Sequence, residues 1–144
     1  MKNRSVPADV ILPHVVYEDL PAAIDWLTHV FGFSERYRYG EPVQGAQLHL
    51  GEAYIMVRTA RGAQRSPASL GFGTQSLTVF VDDVEAQFER AKSGGARIVE
   101  EINTTIYGEH QFGVEDLEGH HWLFARHARD VEPVAWGAKV TGRS

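Results

Sequence analysis

Seven histidines and no cysteine set the chemistry open to this sequence. Imidazole is a metal ligand and a general base near neutral pH, so the histidines are the first candidates. His120 and His121 are neighbours, and neighbours on a strand point to opposite faces, so the pair cannot grip one ion from there. No His-x-His or His-Glu-x-x-His spacing occurs. His14, His49 and His121 lie in three separate apolar stretches and could converge, as a non-standard metal site or a general base. The plainer reading is that each makes single hydrogen bonds. Glu109-His110 falls in a loop nearby, while His29 on a helix and His127 past the last strand read as surface residues. The missing cysteines remove disulfides, thiolate nucleophiles and thiolate-bound zinc. Nucleophilic catalysis would then need an activated Ser or Thr. Ser76, in Thr74-Gln75-Ser76-Leu77, is not in a nucleophile elbow and reads as a small polar binding residue. Gly71-Phe72-Gly73 precedes a strand and not a helix, which argues against a phosphate cradle. Glu101 and Glu109 are a carboxylate pair only by nearness in sequence.

Aromatic side chains offer binding more than bond-making. Tyr37 and Tyr39 share a strand face, Phe80 lies in the apolar run Leu77–Val81, and Tyr107 lies in the loop Thr104-Thr105-Ile106-Tyr107-Gly108. A flat ligand held between such rings gains roughly 0.5–1.5 kcal/mol per stacked pair. Tyr37 and Phe80 could equally finish the core. Trp136, in the tail, calls for docking on its own sheet or on a second copy.

The elements that must position these groups repeat. Val10 to Tyr17 is rich in apolar and β-branched residues, Asp19 offers a helix cap, and Leu20, Ile24, Leu27 and Phe31 form an amphipathic stripe ended by Gly32. Sixty-four residues on, Leu77 to Val81, Asp82-Asp83, the stripe Val84, Phe88 and Ala91, and Gly94-Gly95 repeat the pattern. Strand candidates follow each helix: Glu35–Tyr39, Gln47–Leu50 and Tyr54–Thr59 in the first half, Arg97–Ile102, Phe112–Glu115 and His120–Arg126 in the second. Asp116-Leu117-Glu118-Gly119 is a turn signal. The expected fold class is α+β: two β-α-β-β-β modules forming a curved mixed sheet around a cleft, with helices on the outer face. The whole of 1–144 reads as one domain, with halves at about 10–60 and 74–127, a loop Ala60–Gly73 between them and a tail over 128–144.

Alternation along strands then assigns faces. The cleft should be polar at His14, Gln47, His49, Ser76, Thr78 and His121, and greasy at Leu12, Met56, Phe80 and Leu123. Trp122 and Phe124 should face a helix. Composition sets the partners. A net charge of -5, with 14 Lys+Arg against 19 Asp+Glu, disfavours nucleic acid. No apolar run approaches a membrane span, and residues 1–10 lack the apolar stretch of a signal peptide. A cytoplasmic location is the expectation.

The chain also resembles the vicinal oxygen chelate superfamily, which includes glyoxalase I, bleomycin-resistance proteins and extradiol dioxygenases. The likeness is carried by Glu18-Asp19-Leu20, Ala22-Ala23-Ile24-Asp25-Trp26 and Phe31-Gly32-Phe33. In the second half it rests on Val81-Asp82-Asp83-Val84, Gly94-Gly95-Ala96 and Val114-Glu115-Asp116-Leu117-Glu118-Gly119-His120. The resemblance implies a divalent ion held at four strand positions, which here are Leu12, Met56, Ser76 and Leu123. None is a ligand for Zn, Ni, Fe or Mn. A slip of two residues on the first strand would bring in His14, alone. The resemblance also implies a homodimer. The expected function is therefore binding of a small, aromatic organic ligand in the cleft, with no metal and no cofactor, through His14, Gln47, His49, Ser76, Thr78, Phe80, Tyr107 and His121. The alternatives are a metal-dependent lyase, isomerase or dioxygenase with relocated ligands such as His14, His49 and His121, and a structural partner with a vestigial cleft.

Overall fold

The computed structural model describes residues 11–142, and the first strand candidate's Val10 lies outside them. Each half begins with a short strand and a capped helix, as the repeat predicts. Strand β1 (His14–Tyr17) leads to α1 (Leu20–Trp26), and β5 (Ser76–Phe80) leads to α3 (Val84–Ser93). The Asp19 carboxylate accepts from the Ala22 amide, and the Asp83 carboxylate accepts from the Ala86 amide at 3.0 Å. Each thereby satisfies an amide that the first helical turn leaves without a partner.

Three antiparallel-connected strands follow each helix: β2 (Ser34–Tyr39), β3 (Gly45–Leu50) and β4 (Ala53–Thr59), then β6 (Arg97–Thr104), β7 (Glu109–Glu115) and β8 (His121–His127). They form two four-stranded sheets, ordered β1-β4-β3-β2 and β5-β8-β7-β6. In each sheet the first strand pairs parallel with the last and the other pairings are antiparallel, so both are mixed.

The structure adjusts several boundaries. β5 starts one residue before the expected Leu77, and β6 and β7 are longer than their patterns suggest. The joining loop holds a short helix, α2 (Pro67–Leu70), capped by the Ser66 hydroxyl, and the tail holds a 3₁₀ turn at Pro133–Trp136. The first helix stripe does not continue as one α-helix. From Leu27 to Phe31 it widens into a π turn. Its carbonyls are taken by side chains of α3: Gln87 donates to Phe31 O at 2.8 Å, and the Arg90 guanidinium donates to Thr28 O and His29 O. Gly32 then turns the chain at φ 86°, in the left-handed region.

Helix α1 packs on β4 of its own sheet, and its π turn carries the chain onto the second module's sheet. Phe31 meets Trp122 and Phe124 edge-on, with ring centroids 5.7 and 5.0 Å apart, and Phe33 meets Trp122. Burying each such ring stabilises by roughly 1.5–3 kcal/mol. The two modules thus share one core.

A second tie runs through the turn between β7 and β8. The buried Asp116 carboxylate accepts from Tyr17 Oη at 2.6 Å, Trp122 Nε1 at 3.0 Å, and the amides of Glu118 and His120. Glu118 lays its two oxygens on the amides of Glu18 and Asp19, at the start of α1. Glu18 in turn accepts from the Ser66 amide and the Ser69 hydroxyl. The Ser66 hydroxyl first, then the Ser69 hydroxyl and the Ser66 amide, with Arg65 near, lower the Glu18 carboxyl to about 2. Burial first, and then the Asp116 charge, raise the Tyr17 phenol well above its ordinary value. Among the described residues, no helix is long and apolar enough to cross a membrane.

Candidate functional site in the cleft

Each sheet has a face away from the helices, and the pairing register gives its rows. In the first sheet one row runs His14, Met56, Gln47, Tyr37, and the next runs Val16, Arg58, Gly45, Tyr39. In the second sheet the rows are Ser76, His121, Glu115; then Thr78, Leu123, Gly113, Glu100; then Phe80, Ala125, Gln111, Asn103. The residues between them, such as Val15, Leu48, Val79, Trp122 and Phe124, belong to the shared core. The expected faces of His121, Leu123, Trp122 and Phe124 agree with this.

The edge strands β1 and β5 flank a cavity of about 270 Å³, where His14, Gln75, Ser76 and His121 supply the polar lining. The cavity brings together residues more than 100 positions apart. His120 borders it too, but its Nε2 is held 2.7 Å from Val16 O and its ring lies edge-on to Tyr17.

Other expected cleft residues lie elsewhere. His49 stacks on Tyr54, centroids 4.9 Å apart at 16°, with Nδ1 3.1 Å from Gly51 O, and it does not line the cavity of His14 and His121. Gln47 has the expected face but is 0% exposed. Arg36 and Tyr37 cover it. Arg36 donates to Gln47 Oε1 at 2.6 Å, and Gln47 Nε2 and Tyr37 Oη each lie 3.6 Å from Met56 Sδ. The side of the first sheet expected to be open is therefore filled at its centre by its own side chains. The covering strand β2 is an exposed edge, and its bulge between Glu35 and Tyr37 lets Arg36 reach Gln47.

The second sheet stays more open. Thr78 and Phe80 are exposed, Phe80 by 61%, and Phe80 also borders a cavity of about 430 Å³ with Glu52 and Asp82. Its floor is small, since Ala125 and Gly113 face this side. A Cβ on Gly113 would lie 3.0 Å from Glu100 Cβ and 3.2 Å from His121 Nε2. At the far end Tyr107 Oη donates to Gln111 Oε1 at 3.4 Å, and Trp136 of the tail packs edge-on against Tyr107 at 5.9 Å. Trp136 thus docks on its own chain. Sequence reading missed Arg36, Gln111 and Gly113. Only Gly113 left a signal, as a glycine inside a strand marks close approach.

A protein of two four-stranded mixed sheets, helices on one side and a cleft at the edge strands, is built like the paired-module folds named above. The model of the Glyoxalase/Bleomycin resistance protein/Dioxygenase superfamily matches residues 10–124, and the chain belongs to that family. It is 34% identical to TioX from Micromonospora sp. ML1, whose crystal structure superposes with a TM-score of 0.70 over 83% of this chain and 99% of that one. It is 30% identical over 127 residues to the uncharacterized protein Rv0887c of Mycobacterium tuberculosis (strain ATCC 25618 / H37Rv), covering 83% of this chain and 75% of the relative. A glyoxalase/bleomycin resistance protein/dioxygenase family enzyme from Burkholderia phytofirmans PsJN has the same fold at 18% identity, with a TM-score of 0.62 over 83% of this chain and 99% of that one.

The positions where the superfamily's metal enzymes hold their ion do not fit one here. Leu12 and Leu123 have no donor, Ser76 offers a neutral hydroxyl, and the Met56 thioether is buried beneath Gln47 and Tyr37. Among the described residues, no three of His, Asp and Glu are grouped so as to hold a metal.

Proposed function

We propose that this chain binds a small, flat, partly polar organic molecule in its cleft without metal chemistry, in the manner of the bleomycin-resistance branch, which sequesters a drug. One observation carries the reading: the four metal positions hold Leu12, Met56, Ser76 and Leu123, while the same faces offer aromatic and hydrogen-bonding side chains. His14, Ser76 and His121 supply donors and acceptors around the cavity of about 270 Å³. Phe80 on one side and Tyr107, backed by Trp136, on the other supply ring faces over a floor of Gly113, Leu123 and Ala125. Gln47 and His49 support the first sheet's surface beneath Arg36 and beside Tyr54. A few placed polar groups in an apolar, pre-formed hollow are what fix a small ligand's orientation.

Isothermal titration against a panel of planar aromatic compounds, antibiotics among them, tests this. The expected result is a binder with a micromolar or tighter Kd, weakened roughly 2- to 10-fold by Phe80→Ala or Tyr107→Ala, the range one stacking contact gives. No binder tighter than millimolar across a broad panel would remove the proposal. His14 and His121 share one cavity, which favours a metal-dependent reading as the second choice. Stoichiometric Ni, Zn, Mn or Fe in the purified protein, lost in His14→Ala or His121→Ala, would put an enzyme in its place.

A further inference from the structure

The chain leaves β8 at His127 and folds back on the loop before β7. The amides of Ala128 and Arg129 both donate to Gly108 O, at 2.8 and 3.1 Å, and the 3₁₀ turn beyond them sets Trp136 against Tyr107. His127 stands at the hinge. Its Nδ1 lies 3.2 Å from Glu109 Oε1 and its Nε2 lies 2.7 Å from Asp130 Oδ1. Two carboxylates on two ring nitrogens call for two N–H donors, and only the imidazolium has both. The neutral ring would turn a lone pair on one carboxylate. Glu109 Oε2 is buried with no hydrogen-bond partner among the described residues, so the negative charge beside His127 is little compensated.

The other charges nearby do not change that sign. Arg126, the preceding residue, turns to Glu85 of α3 at 3.6 Å, and His110 meets the same carboxylate at 3.2 Å. Arg129 follows on the tail, where its amide is engaged by Gly108.

We propose that the tail over 128–142 is a pH-gated strap: the His127 imidazolium clasps Glu109 to Asp130 and holds Trp136 on Tyr107, and loss of its proton lets the strap open at that end of the cleft. The hydrogen bonds that His127 donates to Asp130 and then to Glu109 raise its pKa above its ordinary 6.5. A raised folded-state pKa makes the clasp fully present below 6.5 and lost as pH rises through the folded value. The inference goes beyond the binding proposed above, because it concerns the tail alone and needs no ligand.

Fluorine NMR of protein carrying 5-fluorotryptophan tests it. The chain has three tryptophans, and Trp136→Phe assigns the tail's resonance. Between pH 6 and pH 9 the Trp136 signal should move toward its unfolded-chain position as the open population rises. The buried Trp122 signal should stay fixed, which reports an intact core. His127→Gln keeps a hydrogen-bonding side chain at a half-exposed position but cannot titrate, and it should abolish the movement. A Trp136 signal flat across that range, or one that still titrates in His127→Gln, overturns the strap.

Discussion

Asp116 illustrates how much one residue holds here. Its two carboxylate oxygens serve four donors drawn from β1, β8 and the turn itself, in a site that is 6% exposed. The sequence showed this residue as the head of a turn and as part of a family likeness. Its partner Tyr17, 99 residues away, left no trace, since hydrogen bonding across such a separation has no local signature. In Asp116→Ala the Tyr17 hydroxyl and the Trp122 indole lose their acceptor, at about 1–3 kcal/mol for each buried group left unpaired. Urea unfolding should show the midpoint drop accordingly, with the slope unchanged. Glu18 makes a separate, pH-dependent contribution. Its carboxyl is lowered to about 2 in the folded chain from an ordinary value of 4.5. A depressed pKa gives stability that is present above 4.5 and lost as pH falls through the folded value, because the unfolded chain takes the proton first. Unfolding midpoints measured from pH 5 to pH 2 should fall, and Glu18→Gln should make that fall shallower. A slope unchanged by the substitution would place the acid sensitivity elsewhere.

Among the elements, the amphipathic stripe was readable: Leu20, Ile24, Leu27 and Phe31 are all buried, as their spacing requires. The π turn was not. It exists because Gln87 and Arg90, on a helix some sixty residues later, satisfy the carbonyls that the wider turn leaves free. The same contact makes Gly94 tight. Its backbone is ordinary right-handed, at φ -78°, so alanine meets no dihedral penalty there. A Cβ would nonetheless come 2.8 Å from Val30 Cγ1 and 3.0 Å from Cγ2, and a β-branched side chain has little room to turn. Gly94→Ala should therefore cost roughly 1–3 kcal/mol by overpacking. Thermal or urea unfolding of Val30→Ala, Gly94→Ala and the pair should show the double variant losing less than the sum of the singles. Strict additivity would mean the two residues do not press on each other.

For the molecule as a whole, the two sheet faces differ in charge. The first carries Arg58 and the Gln47-bound Arg36 among tyrosines, whereas the second carries Glu100 and Glu115 beside His121, with Arg97 paired to Glu115 at 3.3 Å. Opposite faces on one chain suit a pair of copies in which the first sheet of one meets the second sheet of the other. Sedimentation velocity at micromolar concentration should give twice the mass of the 16.0 kDa chain, with dissociation promoted by salt. A monomer at every concentration and ionic strength would confine the cleft to one chain. Such a pairing would also bring the Tyr37 and Tyr39 surface toward the binding groups of the second sheet.

The sequence by itself determined the two-module plan, the capped helices, the turn at Asp116–Gly119 and the faces of the strands. All of these follow from contacts a few residues apart or from strict alternation, which a single chain displays openly. It also determined that Leu12, Met56, Ser76 and Leu123 are poor metal ligands, because that depends on side-chain chemistry alone. Only the tertiary structure decided that Gln47 is buried beneath Arg36, that His49 stands apart from His14 and His121, and that Trp136 returns to Tyr107. Each of these depends on a bulge, a turn or a tail bringing distant residues within a few ångströms, and parity says which way a side chain points but not what lies over it.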